Sequence, residues 1–176
     1  MKTTKTIAAS ALPASARGTF DAQRRTLLAA ALAAPALVWA RPAAATTTPV
    51  EVWKDPNCGC CQDWVRHMEA NGFAVTLHDS GNTAVRTRLG LPQRLGSCHT
   101  ALVGGYLLEG HVPAADVKKL LAEKPQALGL AVPGMPVGSP GMDGPAYGGR
   151  RDPYDVLLVT KAPGGDVATR IFTRYR

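Results

Sequence analysis

The most constraining feature of the sequence is a group of three cysteines in Cys58-Gly59-Cys60-Cys61, followed by the fourth and last cysteine at Cys98. An even number of cysteines in a small exported protein usually indicates a disulfide framework. Such a framework distributes its cysteines along the chain, and the adjacent Cys60 and Cys61 cannot easily bond to each other. The spacing therefore favours redox or metal chemistry over two structural disulfides.

Residues 1–45 are predicted to be an export signal that is cleaved after Ala45. Paired arginines at positions 24 and 25 precede an Ala/Leu-rich run to Trp39, and small residues end the segment. This order is typical of export signals, and the paired arginines resemble a bacterial twin-arginine signal. The apolar run is shorter than the roughly 20 residues of a membrane span. We therefore expect a periplasmic protein with no stable membrane insertion after cleavage.

The positive charge of the chain is concentrated in that segment. Of 20 basic and 13 acidic side chains, six basic and one acidic precede Thr46, which leaves 14 basic and 12 acidic ones and a net charge of +2. A nucleic-acid-binding domain usually carries a strong basic surface. Nucleic acid is therefore not an expected partner.

The remaining chain, residues 46–176, is long enough for one domain but not for two. Apolar periodicity and turn residues predict alternating strands and helices, and this order is that of an α/β, thioredoxin-like single domain. The predicted strands cover 50–54, 73–78, 100–103 and 106–110, and the predicted helices cover 61–70, 83–89 and 114–123.

The flanking segments are less regular. Residues 46–49 are predicted to be a polar tether, and the Gly/Pro-rich segment 130–150, which contains two methionines, is predicted to be a long loop. Residues 154–160 and 167–175 alternate around a Pro-Gly-Gly turn and predict a C-terminal β-hairpin. Trp53 and Trp64 are expected to pack in the core beside the cysteines.

Cys58 and Cys61 form a Cys-x-x-Cys pair at a predicted helix start. The positive end of the helix dipole favours thiolate there, which suits both disulfide exchange and metal binding. Cys60 has no evident role in simple exchange. In a thioredoxin-like domain the loop before the third strand faces this helix end, and exchange enzymes carry a cis-proline in that loop. Here the loop contains Cys98 instead, so a fourth sulfur is predicted opposite the other three.

Four clustered thiols predict a soft metal ion. Thiolates suit Cu(I), zinc and iron-sulfur clusters. Three sulfurs within four residues fit poorly around one tetrahedral ion together with a fourth sulfur, but they can bridge several Cu(I) ions. Copper, in one or more Cu(I) ions, is therefore the predicted metal, with zinc less favoured.

Further ligands are expected among the histidines and methionines near the cysteines, although each of these residues can also have a purely structural role. The candidates are His99, His111, Met135 and Met142. The alternative for the two methionines is that they fill gaps in the core or cover a surface. His67 and His78 are expected to be surface or hydrogen-bonded structural residues.

Several segments together resemble the CopG-type family of exported copper-resistance proteins, long catalogued as a domain of unknown function. They are Cys58-Gly59-Cys60-Cys61, Cys98-His99-Thr100, Glu109-Gly110-His111-Val112-Pro113 and the Met-containing segment from Gly129 to Met142. The resemblance covers residues 50–176. It implies a thioredoxin-like fold, a periplasmic location, a multicopper site on Cys58, Cys60, Cys61 and Cys98, and a role in copper tolerance that includes a change of copper oxidation state.

The sequence therefore predicts a periplasmic protein that holds Cu(I) for tolerance, buffering or transfer to other periplasmic copper-handling proteins. The alternative is a thiol-disulfide oxidoreductase in which Cys58 is the nucleophile and Cys61 the resolving thiol. A copper oxidoreductase would combine the two activities. The missing proline counts against simple exchange, and the Cys-x-x-Cys pair counts for it.

Overall fold

The described part of the chain, residues 47–176 of a computed structural model, begins with alternating strands and helices. The predicted export signal lies outside the described residues. The seven predicted elements are all present, each within two residues of its expected ends. They are β1 (Thr48–Lys54), α1 (Gly59–Ala70), β2 (Phe73–His78), α2 (Thr83–Arg88), β3 (His99–Val103), β4 (Tyr106–Glu109) and α3 (Ala114–Glu123).

Three further strands follow, namely β5 (Gly129–Ala131), β6 (Tyr154–Lys161) and β7 (Val167–Tyr175). The predicted C-terminal hairpin is confirmed, because β6 and β7 pair antiparallel along their length. The prediction that the long loop begins at Leu130 is wrong, because Leu130 and Ala131 pair with β4. The predicted polar tether is also wrong at its end, since Thr48 and Pro49 pair with β2.

All seven strands form one sheet in the order β2-β1-β3-β4-β5-β6-β7. The pairs β1/β2 and β4/β5 are parallel, and the remaining pairs are antiparallel. The domain is therefore of mixed α/β class, as predicted. Among the described residues, no helix combines the length and the apolar character needed to cross a bilayer.

Helix α1 packs on the sheet through an apolar stripe. Cys61, Trp64, Val65 and Met68 recur at intervals of three and four residues and are buried. The Trp64 indole is fully buried, and its Nε1 donates a hydrogen bond of 2.8 Å to the carbonyl of Val112. This contact fixes the first half of α1 against the segment between β4 and α3.

Trp53 does not lie in the core, contrary to prediction. Val50 and Val52 of β1 are buried, and the alternation of a strand turns Trp53 to the opposite face. There its ring stacks on His78, with 4.9 Å between ring centroids. His78 also lies 3.5 Å from the Glu51 carboxylate, which agrees with the expected surface or structural role.

A buried carboxylate connects the last strand to α3. Asp116 is 3% exposed, and it accepts hydrogen bonds from the hydroxyls of Thr173 and Tyr175. The Tyr175 ring in turn stacks on Tyr154, at 4.7 Å between centroids. Burial, followed by the contact with Asp116, raises the pKa of Tyr175 and keeps its hydroxyl a donor. The C-terminal hairpin is thereby fastened to the helical layer.

We expect Asp116→Asn to lower the free energy of unfolding by about 1–3 kcal/mol, because the amide cannot accept both buried hydroxyl hydrogen bonds as the carboxylate does. Urea denaturation measures this difference. Asp166→Asn, at an exposed position of the β6–β7 turn, is the matched control and should change the value by less than about 0.5 kcal/mol. Equal effects of the two substitutions would contradict the anchoring role of Asp116.

Candidate metal centre

The register of β1 and β3 places the two cysteine-bearing segments at one end of the sheet. Lys54, the last residue of β1, pairs with His99, the first residue of β3. Because the two strands are antiparallel, the chain that leaves β1 towards Cys58 and the chain that enters β3 from Cys98 lie at the same end of the sheet. Residues 40 positions apart in the sequence thus become neighbours.

The turn that carries Cys58 is held by a buried lysine. Lys54 is 3% exposed, and its Nζ donates to the carbonyls of Asp55 and Pro56 at 3.1 and 3.3 Å. Its charge is balanced by Asp79, whose carboxylate lies 2.8 Å away. The backbone N–H of Cys58 donates to Asp55. This turn therefore has a defined shape before the cysteines begin.

The three clustered cysteines open α1. Cys58 is the N-cap residue, and Cys60 and Cys61 lie in the first turn. Cys58 and Cys61 form a disulfide, whereas Cys60 and Cys98 are free. The Sγ atoms of Cys58 and Cys60 are 3.6 Å apart. The alternative of two structural disulfides is therefore not observed, and the oxidised pair is the Cys-x-x-Cys pair.

Cys98 lies where the sequence placed it, opposite α1. The sulfur atoms of Cys58, Cys60, Cys61 and Cys98 all lie within 4.8 Å of one another. The Sγ of Cys61 is also 3.6 Å from the Cys98 carbonyl oxygen. Four sulfurs at this spacing can share one or more soft ions, once the Cys58–Cys61 disulfide is reduced.

The protonation of Cys98 differs from the expectation that the helix end keeps the thiols deprotonated. Burial raises the pKa of Cys98 to about 12, and the neighbouring Cys60 adds to the rise. The Cys98 sulfur lies close to the N-terminus of α1, but desolvation on burial is the largest cause of its pKa shift. A bound metal ion removes the proton from a coordinating thiol outright.

His111 is presented to Cys98 by the long loop after β5. Its Nδ1 donates to the Pro140 carbonyl at 2.8 Å, which leaves Nε2 unprotonated and 3.0 Å from the Cys98 Sγ. A carbonyl partner on the other ring nitrogen is the usual arrangement of a metal-binding histidine. Burial lowers the pKa of His111, so the ring is neutral and able to coordinate.

His99 completes a second group of ligand atoms. The ligand atoms of Cys98, His99 and His111 lie within 4.8 Å of one another. The His99 ring is fully buried, packs against Trp64 at 4.4 Å between centroids, and places Nδ1 3.4 Å from the Cys98 Sγ. Burial lowers its pKa well below 6.5, and the neighbouring His111, which would repel a second charged imidazole, adds to the decrease. Cys98 thus belongs to both groups.

His67 has a structural role, as expected. Its Nε2 accepts a hydrogen bond of 3.1 Å from the backbone N–H of Ala114, the first residue of α3. Burial lowers the pKa of His67, which keeps this nitrogen an acceptor. His67 therefore joins α1 to the start of α3.

The loop between β5 and β6 passes over the cysteines. A Cβ atom on Gly141 would lie 2.6 Å from the Cys60 carbonyl and 2.7 Å from the Trp64 backbone nitrogen, so the loop backbone touches the first turn of α1. Met142 is buried, and its sulfur accepts a hydrogen bond from the Tyr147 hydroxyl at 3.2 Å. Met135 is 53% exposed. Coordination by either methionine stays a prediction.

Two contributors to this geometry had been missed from the sequence. Lys54 continues the inward positions of Val50 and Val52 in β1, and that periodicity was the available signal for its burial. The Pro140 carbonyl that orients His111 could not be foreseen, because a backbone contact across a long loop leaves no mark in residue type.

The fold and the site define a mixed α/β protein with a cysteine- and histidine-lined candidate metal centre, and comparisons with known proteins agree. The profile of the family described as "Protein of unknown function, DUF411" matches residues 95–142. Two solved structures, both named copper resistance protein copG, are similar to this chain, while no curated protein matches it. Form 1 has 47% identity and a TM-score of 0.65, covering 73% of this chain and 98% of its own.

Form 2 has 46% identity and a TM-score of 0.66, and the match covers 74% of this chain and 99% of that structure. At this identity and coverage the family is established. The chain belongs to the CopG-type copper-resistance family.

We expect Gly141→Ala to detach the loop from α1, because Gly141 has a φ of +84° and a Cβ there would meet backbone atoms. The free energy of unfolding should fall by about 1–3 kcal/mol, and limited proteolysis should cut the loop faster. Gly144→Ala is the matched control, since Gly144 has an ordinary φ and open space around it. A similar response of both variants would show that the close contact is unimportant.

We also expect the metal-free protein to lose stability as the pH falls from about 7 to about 5. The lowered pKa values of His67, His99 and His111 mean that the unfolded chain binds more protons below pH 6.5. The stability contributed by these neutral histidines is fully present above their ordinary pKa. Below it, the free energy of unfolding falls by at most about 1.4 kcal/mol per pH unit for each histidine. Urea midpoints at several pH values should show a shallower slope for His99→Gln than for the wild type; identical slopes would refute the assignment.

Proposed function

We propose that this chain is a periplasmic protein that holds Cu(I) on Cys58, Cys60, Cys61 and Cys98 for copper tolerance, buffering or transfer. The observation that carries the proposal is the convergence of these four sulfurs within 4.8 Å. Thiolates are soft ligands, for which Cu(I) is the better match among biological metal ions. The names of the two similar structures, copper resistance proteins, support the same metal.

More than one copper ion fits the arrangement better than a single ion. Cys98 belongs both to the four-sulfur group and to the group with His99 and His111. A thiolate can bridge two ions, and neutral imidazoles can complete the coordination of the second. Zinc is the less favoured metal, because its structural sites use a closed set of four ligands around one ion, whereas Cys98 is shared here by two groups of ligand atoms.

The finer assignment of fold and location belongs to the same proposal. The order β1-α1-β2-α2-β3-β4-α3 with sheet order β2-β1-β3-β4 is what a thioredoxin-like domain would have. Strands β5 to β7 would then be an extension on the β4 side that supplies the loop over the site. The export signal predicted for residues 1–45 supports delivery to the periplasm, and the exposed Met135 is suited to exchanging copper with other periplasmic copper-handling proteins.

A second candidate function is thiol-disulfide exchange, and the Cys58–Cys61 disulfide favours it. Cys61 is fully buried, whereas Cys58 is partly exposed, so Cys58 would be the attacking thiol and Cys61 the resolving one. The loop contact at Gly141 restricts the approach of a peptide substrate to α1.

The two activities combine in a copper oxidoreductase. The Cys58 and Cys61 thiolates would give up one electron each, form the disulfide and reduce two Cu(II) ions to Cu(I). The electrons and charges of this step balance without another reactant. In the reverse direction, two Cu(I) ions would reduce the disulfide.

The copper proposal is tested by competition for Cu(I) between a chromophoric chelator and the reduced mature protein, under anaerobic conditions. The wild type should withdraw more than one Cu(I) per chain, while the variant with all four cysteines changed to serine should withdraw none at the same chelator concentration. Equal uptake by the two proteins would refute the proposal. A single redox-silent zinc ion, bound more tightly than copper, would do the same.

An insulin-reduction assay on the metal-free protein separates the second candidate. A copper-binding protein should show no turnover above the Cys58→Ser variant. Turnover that depends on both Cys58 and Cys61 would instead support the exchange function.

A further inference from the structure

A buried ion pair lies directly behind residues 96–98, a segment that leads into β3 and is called the Cys98 loop. Arg86 of α2 and Glu109 at the end of β4 have side chains that are 5% and 0% exposed, and Arg86 Nε donates to Glu109 Oε1 at 2.8 Å. A buried pair of this kind contributes little net stability compared with apolar side chains of the same size, because removing both charges from water is costly. The contacts of the pair therefore point to a role other than stability.

Both members of the pair hold the backbone of Ser97, the residue before Cys98. The Ser97 N–H donates to Glu109 Oε1 at 2.7 Å, and Arg86 Nη2 donates to the Ser97 carbonyl at 2.7 Å. The Asn82 side-chain amide donates a second hydrogen bond to the same carbonyl, at 3.2 Å. Arg86 and Asn82 thus hold the peptide group that joins Ser97 to Cys98, and Glu109 holds the peptide group before it.

The remaining hydrogen-bonding capacity of the pair is also used inside the protein. Thr100 Oγ1 donates to Glu109 Oε2 at 2.6 Å, and Arg86 Nη1 donates to Gln93 at 2.8 Å. Three donors therefore converge on the Glu109 carboxyl and favour its ionised form, which opposes the rise in the pKa of Glu109 caused by burial. A fully satisfied buried network of this kind is rigid and defines one geometry.

Two glycines leave the space in which this network fits. A Cβ atom on Gly96 would lie 2.9 Å from Arg86 Nη1, and one on Gly110, whose φ is +71°, would lie 2.4 Å from the Ser97 hydroxyl oxygen. The Ser97 hydroxyl also donates to the Gly134 carbonyl of the long loop. The Cys98 loop is therefore enclosed on several sides by atoms that cannot easily move.

We propose that Arg86 and Glu109 are positioning residues that hold the Cys98 thiol in place opposite the α1 cysteines. The inference rests on the proposed copper function, and it adds that the affinity of the site depends on two side chains that hold the backbone of Ser97 and are hydrogen-bonded to no proposed metal ligand. The positions of His99 and His111 depend on the same pair, because His99 directly follows Cys98 and His111 lies two residues after Glu109.

The double variant Arg86→Met/Glu109→Leu tests this inference, because it removes both charges and fills the space with apolar side chains. Its Cu(I) affinity, measured by chelator competition, should fall by about 10- to 100-fold, the range found when groups that orient metal ligands are lost. The near-ultraviolet thiolate-to-copper absorption per copper ion should fall as well, since Cys98 no longer reaches the cluster. Glu109→Gln keeps an oxygen acceptor for Ser97 and should lose less affinity.

Asp116→Asn is the matched control, because it disturbs another buried carboxylate network that contacts no cysteine-bearing loop. It should lower stability and leave copper affinity and the thiolate absorption unchanged. The inference is overturned if the wild type binds Cu(I) tightly and the double variant binds it equally well. An equal loss of affinity in Asp116→Asn also overturns it, since the effect would then follow from stability alone.

A copper-independent measurement keeps the inference separate from the proposed function. In a background with Cys58, Cys60 and Cys61 changed to serine, iodoacetamide should alkylate Cys98 several-fold faster when the Arg86/Glu109 pair is replaced, because the loop is released. If the double variant does not fold, Glu109→Gln should still raise the alkylation rate, by a smaller factor, because it removes the negative charge that Arg86 contacts. An unchanged alkylation rate refutes the positioning role, whereas failure of the wild type to bind Cu(I) refutes only the copper function.

Discussion

The antiparallel pairing of β1 with β3 is the constraint on which the site depends. Lys54 faces His99 across the two strands, so the end of one strand and the beginning of the other lie side by side. Thr100 of β3 pairs in turn with Glu109, so the end of β4 lies at the same end of the sheet. Backbone hydrogen bonds between strands thus gather the cysteines and histidines before any side chain contributes. A slip of one residue in this register would turn each side chain to the other face of the sheet.

Much of this arrangement could be predicted from the sequence, because strong local signals marked it. Apolar periodicity located the strands and helices. The order of these elements then predicted that Cys98 lies opposite the three cysteines of α1. Strand β5 was missed because it has three residues and adjoins a Gly/Pro-rich segment, where periodicity has no room to develop. Trp53 was misassigned because its aromatic character outweighed the alternation of β1. The Arg86–Glu109 pair was missed because two charged residues in separate elements carry no local sign of burial.

The Cys58–Cys61 disulfide and a four-sulfur metal site use the same atoms, so they exclude each other. In the oxidised protein the candidate ligands of these two groups that stay outside the disulfide are Cys60, Cys98, His99 and His111. Reduction adds two thiolates and changes the donor set from mixed sulfur and nitrogen to mainly sulfur. A sulfur-rich set favours Cu(I), whereas imidazole nitrogens also suit Cu(II). In the proposed copper site, the redox state of one pair of cysteines would therefore alter which oxidation state of copper is preferred.

The loop over the site begins at β5 and ends at β6, which are neighbouring strands of one sheet. Both of its ends are thus built into a rigid framework, and its middle is attached to His111 through Pro140 and to α1 at Gly141. A cover attached at so many points cannot swing aside on a hinge as an enzyme lid does. In the proposed copper site, ions would then pass through gaps opened by rotating side chains at the rim, and not through a domain-scale motion.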